Sequence, residues 1–219
     1  MVPAGELDSP LDKLCAIVDV EAAARAGWRP LDLARAFLDG GARFLQLRAK
    51  AMSGAEFLDT AAAFVTLARS YGARAIINDR ADIARLAAAD GVHVGQDDLP
   101  PAAVRAIAGA ATIVGLSAHT REQVDHAVRE PITYVAIGPV FGTATKTTGY
   151  DPIGVEMVRE ASRRAAARGL PLVAIGGITI ENAASVLEAG AASVAVIGDL
   201  LATGDPGRQT RDFLLRIGG

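Results

Sequence analysis

Cysteine and histidine are nearly absent from this chain, which has one of the former and three of the latter in 219 residues. A lone cysteine cannot pair within the chain, and no Cys/His set has zinc-ligand spacing, so a disulfide framework and structural zinc are excluded. Cys15 lies inside the apolar stretch LCAIV and reads as a buried small hydrophobe. No serine has an evident His and Asp to complete a hydrolytic triad. Long apolar runs are missing too: none approaches the roughly 18 residues that span a bilayer. The first residues, MVPAGELDSPLDK, are acidic and lack the basic and apolar regions of a signal peptide, so a cytoplasmic protein is expected. Nor does charge of one sign dominate. The 22 basic and 25 acidic residues are mixed along the chain for a net charge of -3, which argues against a nucleic-acid surface. Small-molecule partners are expected, with a homo-oligomer left open.

What is present is aliphatic. Hydrophobic residues make up 51% and aromatics only 5%, the content of helices packed on buried strands. Eight short apolar runs recur: LCAIVD from Leu14, FLQLR from Phe44, RAIIND from Arg74, GVHVG from Gly91, TIVGLSA from Thr112, YVAIG from Tyr134, LVAIGG from Leu172 and SVAVIG from Ser193. Most do not alternate strictly, which fits strands buried on both faces of a parallel sheet. Helical signals lie between them. Ser53 to Glu56 reads as a capping box with Gly72 as the stop, Thr120 to Gln123 repeats the box, and Pro100 and Pro101 suit a first turn. The basic Arg163, Arg164 and Arg168 near Gly169 read as a solvated helix end. No Pro, Gly or Ser-rich linker divides the chain. The expectation is an α/β protein with one (β/α)8 barrel domain over 1–219, including an extension over 1–12 and a C-terminal helix over 205–217. A doubly wound open sheet is the alternative, weakened by the missing Gly-x-Gly-x-x-Gly turn after the first strand.

In such a barrel the chemistry collects at the C-terminal ends of the strands. After the second run, Gln46, Arg48 and Lys50 alternate to one side of an extended chain and point inward together, a set suited to an anion with several oxygens. After the third and fourth runs stand Asn78-Asp79-Arg80 and Gln96-Asp97-Asp98. Carboxylates from neighbouring strand ends can reach one hard cation, and magnesium fits best. Spacing does not decide which aspartate ligates, since one of Asp97 and Asp98 could instead cap the helix near Pro100. Glycines after the seventh and eighth runs suit the phosphate site of such barrels. His93 reads as a core residue in mid-strand, His126 lies on a helix face, and His119 is close to the mouth.

Taken together, QLRAK, INDRADIA, DGVHVGQDDLP, GLSAHT, GPVFGTATK and VAIGGITIENA resemble the thiamine-phosphate synthase family, in order and at its spacing, from about Leu14 to Leu201. The resemblance implies a transferase of thiamine biosynthesis. It would join 4-amino-2-methyl-5-hydroxymethylpyrimidine diphosphate to a thiazole phosphate with Mg2+ and release pyrophosphate, by a dissociative mechanism. By the same resemblance Arg48, Lys50, Asn78 and Lys146 form the pyrophosphate cradle, and Asp79 and Asp98 hold the metal. Gln46 and Ser117 lie near the pyrimidine and its leaving group, with Arg48, Lys50, Ser117 and Lys146 as the catalytic set. Thr143 and Thr145 would meet the thiazole, while Gly177, Ile197 and Gly198 would bind its phosphate. The chain departs from the family pattern at Asp199, beside the phosphate site, at Cys15, where an aromatic is frequent, and at Gly142, where proline is common. Two other readings remain at this point: a thiazole tautomerase of the same superfamily, with His119 in the region of its catalytic histidine, and a non-catalytic thiamine-phosphate binding protein.

Overall fold

The computed structural model describes residues 11–142 and 149–218. All eight apolar runs form strands: β1 (Leu14–Asp19), β2 (Phe44–Arg48), β3 (Arg74–Asn78), β4 (Gly91–Val94), β5 (Ile113–Ala118), β6 (Tyr134–Ile137), β7 (Leu172–Ile175) and β8 (Ser193–Val196). Each pairs in parallel with the next, and β8 closes on β1 through Cys15 opposite Ala195. Closure excludes the open doubly wound sheet. The helices are α1 (Val20–Arg25), α2 (Pro30–Asp39), α3 (Gly54–Ser70), α4 (Ala81–Leu86), α5 (Pro101–Ala108), α6 (Arg121–Ala127), α7 (Gly154–Ala166), α8 (Ala183–Glu188) and α9 (Pro206–Arg216), with a 3-10 turn at Asp199–Leu201.

Why the runs are apolar at nearly every position follows from the two faces of each strand. Alternate residues such as Ala16, Val18, Leu45 and Leu47 pack outward against the helices. The others, among them Cys15, Ile17, Phe44, Ile76, Tyr134 and Ala195, fill the barrel interior. Both sets leave water, so polar alternation has no place in the lower strands. The floor is set by Tyr134, whose ring lies so close to β5 that a Cβ on Gly115 would fall 2.1 Å from its Cζ. Only glycine admits that ring.

Local signals position the loops above this floor. Ser53 and Glu56 exchange both bonds of a capping box at the start of α3, and Gly72 follows its end in the left-handed region at φ +65°. The second predicted box is only half formed. Thr120 Oγ1 accepts from Gln123 N–H, but Gln123 Oε1 accepts from His119 N–H rather than closing on Thr120. That bond ties the chain leaving β5 to α6. At α5 the N-cap is Pro100, with no side-chain cap, so neither Asp97 nor Asp98 is used there. Among the described residues no helix is long and apolar enough to cross a membrane.

Candidate active site

A cavity of about 450 Å3 opens at the C-terminal end of the barrel. The inward alternation of β2 continues past the strand, so Gln46, Arg48 and Lys50 all line it, as do Asn78, Asp79, Asp98 and Ser117 from the next three strand ends. Gln46 and Asn78 are only 5% and 8% exposed. Neither side-chain amide has a hydrogen-bond partner among the described residues. An unpaired buried amide costs about 1–3 kcal/mol, which a polar ligand or water in the cavity offsets.

Two acids that the sequence reading passed over hold the basic residues in place. Asp19, at the end of β1 and 4% exposed, accepts from Arg48 Nη1 with Oδ2 and from Ala22 N–H with Oδ1, so one carboxylate orients the guanidinium and caps α1. Arg48 keeps its other N–H groups for a ligand. Glu21 Oε1 accepts from the Lys50 and Ala51 amides at 2.9 and 3.0 Å, which fixes the backbone beneath Lys50. Burial would raise the Glu21 pKa, but these bonds and the nearby Arg48 charge outweigh it and hold it below the usual value. The signal was available in sequence, because Asp19 continues the inward alternation of Cys15 and Ile17.

The acidic pair stands opposite. Asp79 adopts φ +65°, a left-handed conformation that is strained for a residue with a Cβ and is held by the bond from Asp79 N–H to His93 O at 2.7 Å. Its carboxylate accepts from Lys50 Nζ and is within hydrogen-bonding reach of Asp98. Asp98 Oδ2 accepts from Gly95 N–H at 2.7 Å, which turns it inward, whereas Asp97 is exposed and outside the cavity. The structure therefore singles out Asp98 from its neighbour. Burial and the Asp98 carboxylate push the Asp79 pKa up against the opposing Lys50. Asp98 lies lower: burial would raise it, but the bonds from Asp79 and Gly95 prevail. Two carboxylates this close repel each other, and a hard divalent cation between them relieves that repulsion. No group of three or more His, Cys, Asp or Glu gathers among the described residues. The pair thus fits an ion that keeps waters and takes substrate oxygens, as Mg2+ does.

At the far wall, Ser117 Oγ lies 2.9 Å from His93 Nε2, and His93 Nδ1 lies 2.9 Å from the Tyr134 hydroxyl. His93 is thus not a sealed core residue but part of the cavity lining. His119 also lines the mouth, with Nδ1 donating to Gly138 O at 2.6 Å and its ring stacked on Tyr150 at a centroid distance of 4.0 Å. His126 stays on the surface of α6 beside Glu130.

Gly177, Ile197 and Gly198 line the opposite end of the cavity. Backbone packing, as much as any ligand, requires glycine there. The chain leaving β6 runs along that leaving β7, with Val140 and Phe141 N–H donating to Ile175 and Gly176 O, each at 2.9 Å. A Cβ on Gly177, at φ +62°, would meet Gly142 O at 2.5 Å. Asp199 also lines this end, and its Oδ2 is engaged within the fold, accepting from Ile180 N–H at 3.1 Å and from Gln209 of α9 at 3.3 Å. Burial raises its pKa despite both bonds. α8 begins only at Ala183, several residues past Gly177, whereas Gly198 directly precedes the 3-10 turn at Asp199–Leu201. Thr143, Thr145 and Lys146 lie outside the described residues.

The comparisons with known proteins agree with this geometry. A family model described as thiamine monophosphate synthase matches residues 14–200. A thiamine-phosphate synthase of Roseiflexus castenholzii is 46% identical over 187 residues, covering 85% of this chain and 81% of that protein. One from Chlorobium luteolum is 42% identical over 201 residues, covering 92% and 91%. Among solved structures, a thiamine phosphate pyrophosphorylase from Pyrococcus furiosus superposes with a TM-score of 0.83 at 30% identity, over 94% of this chain and 95% of that one. The match from β1 through the 3-10 turn after β8, together with relatives covered nearly end to end, places the chain in the thiamine monophosphate synthase family.

Proposed function

We propose that the protein is a thiamine-phosphate synthase, joining 4-amino-2-methyl-5-hydroxymethylpyrimidine diphosphate to a thiazole phosphate and releasing pyrophosphate. One observation carries the reading: two cations, Arg48 and Lys50, and two carboxylates, Asp79 and Asp98, line one cavity where the Gln46 and Asn78 amides have no hydrogen-bond partner among the described residues. That set matches a diphosphate, with Arg48 as a planar fork already aimed by Asp19 and Lys50 as a mobile point charge.

Asp79 and Asp98 would hold Mg2+, which when bound supplies positive charge to the leaving pyrophosphate. The chain's own residues do the rest. Arg48, Lys50 and Asn78 bind the diphosphate oxygens and stabilise the charge that develops as the carbon–oxygen bond breaks. Gln46 and Ser117 orient the pyrimidine end. Gly177, Ile197 and Gly198 take the phosphate of the thiazole and hold its ring nitrogen in line. That nitrogen carries no proton, so no general base is needed. Thr143 and Thr145 are assigned to the thiazole and Lys146 to pyrophosphate on the family resemblance. Cytoplasmic location belongs to the same reading, since the substrates are phosphorylated metabolites.

The test is purified protein with each substrate alone and with both, the product identified by mass. Thiamine phosphate from the complete mixture supports the synthase. Isomerisation of the thiazole phosphate alone, with no coupling, would replace it with the tautomerase.

A further inference from the structure

From the floor of the barrel to the cavity wall runs a chain of three polar side chains on strands β6, β4 and β5. The Tyr134 hydroxyl meets His93 Nδ1 at 2.9 Å, and His93 Nε2 meets Ser117 Oγ at 2.9 Å. The Tyr134 and His93 rings lie nearly parallel, 22° apart with centroids at 5.6 Å. We infer that this chain is a directed relay, Tyr134 to His93 to Ser117, that fixes His93 as the Nε2–H tautomer and makes Ser117 a hydrogen-bond donor toward an anion in the cavity. The inference deepens the synthase reading, because the anion is the diphosphate end of the pyrimidine substrate.

Direction follows from counting donors. Tyr134 is 1% exposed, packed among Cys15, Phe44 and Gly115, and His93 is its hydroxyl's hydrogen-bond partner among the described residues. A phenol with one partner in an apolar pocket satisfies its proton first, so O–H donates and Nδ1 accepts. With Nδ1 an acceptor, the ring proton sits on Nε2 and donates to Ser117 Oγ. Ser117 Oγ has no other partner among the described residues, so its own proton is left to point into the cavity. The opposite direction would bury the phenol proton unpaired. It would also leave Ser117 presenting lone pairs to an anion, which repel it. Gly115 belongs to the device: its missing Cβ is what lets the Tyr134 ring lie against β5 within reach of His93. His93 and Tyr134 are thus positioning residues, acting through Ser117.

The direct test is nitrogen NMR of the wild-type protein labelled at its three histidines, without substrates, at neutral pH, with His93→Gln identifying the resonances. An unprotonated Nδ1 and a protonated Nε2 are expected. The reverse tautomer, or an imidazolium held by the nearby Asp98 charge, would overturn the relay. Tyr134→Phe keeps the ring and removes the donor. It should abolish the fixed tautomer and lower kcat/KM for the pyrimidine diphosphate about 3–10-fold, while KM for the thiazole phosphate stays unchanged. Ser117→Ala should lose about 10–100-fold in the same parameter, because the lost bond is to an anion. A Tyr134→Phe protein with an unmoved His93 spectrum overturns the inference even if the enzyme is active. A fixed Nε2–H tautomer in a protein without synthase activity would instead keep the relay and remove the substrate.

Discussion

The ammonium of Lys50 is hydrogen-bonded to the carboxylate of Asp79, so a cation proposed for the diphosphate and an acid proposed for the metal neutralise each other at the barrel mouth. Binding either proposed ligand would pull this pair apart. Metal alone must compete with Lys50 for Asp79, and diphosphate alone must draw Lys50 from its partner. Together they exchange one ion pair for two.

Mg2+ and inorganic pyrophosphate should therefore bind cooperatively. By titration calorimetry, the affinity for Mg2+ is expected to rise at least about tenfold in the presence of pyrophosphate, a coupling of about 1.4 kcal/mol. In Lys50→Met the affinity for metal alone should rise, because Asp79 is released, and the coupling should shrink. Equal Mg2+ affinity with and without pyrophosphate in the wild type would show that the pair does not act as a switch.

Asp98→Asn should keep its bond from Gly95 N–H through the amide oxygen and so remain folded. Its Mg2+-dependent turnover should fall about 100-fold or more, the scale of losing a charged group from transition-state stabilisation. The same change at Asp97, which is exposed and outside the cavity, should leave turnover within about twofold, a surface substitution being near neutral. Rates at saturating Mg2+ check both.

How much of this could be read without coordinates differs from residue to residue. The eight strands were legible because burial on both faces leaves an uninterrupted aliphatic run, and Gln46, Arg48 and Lys50 because a period of two carries straight past the end of β2. Spacing alone does not tell Asp98 from Asp97, which only the family resemblance separates in sequence, since Asp98 is turned inward by one hydrogen bond from Gly95. Tyr134 and His93 were invisible as a unit. They sit on strands that do not pair with each other, and their contact depends on a glycine in the strand between. Asp19 was legible in principle from its alternation with Cys15 and Ile17. At Gly177 the sequence points to ligand binding alone, whereas the close approach of Gly142 is a second and sufficient reason for glycine.

That second reason separates two glycines by cost. Gly72→Ala adds a methyl group at φ +65° into open space, so it should cost about 1–2 kcal/mol for the left-handed conformation. Gly177→Ala carries the same backbone cost at φ +62° and also drives a Cβ to 2.5 Å from Gly142 O. A further 1–3 kcal/mol or so is expected, as for overpacking. Urea denaturation of both variants measures the difference, and equal losses would mean that the chain leaving β6 yields freely.

Asp199 has a folded-state pKa above that of the unfolded chain, chiefly through burial. A group raised in this way allows full stability below its unfolded pKa, and that stability is lost as pH rises through the folded value. Asp199→Asn should accordingly melt higher than the wild type at pH 7, with the gain shrinking as pH falls into the ordinary carboxylate range. Its oxygen can still accept from Ile180 N–H and Gln209. KM for the thiazole phosphate should also fall, because a negative charge has left the phosphate end of the cavity. A melting difference that does not change with pH would place the effect in packing.

The most direct measurement is the stoichiometry of the reaction itself: pyrophosphate released per thiamine phosphate formed, with both substrates, in Mg2+ and then in excess EDTA. A one-to-one ratio with Mg2+ and no product above background in EDTA is the expected result. Absence of thiamine phosphate with magnesium and both substrates present would contradict the synthase assignment, and undiminished coupling in EDTA would contradict the role given to Asp79 and Asp98.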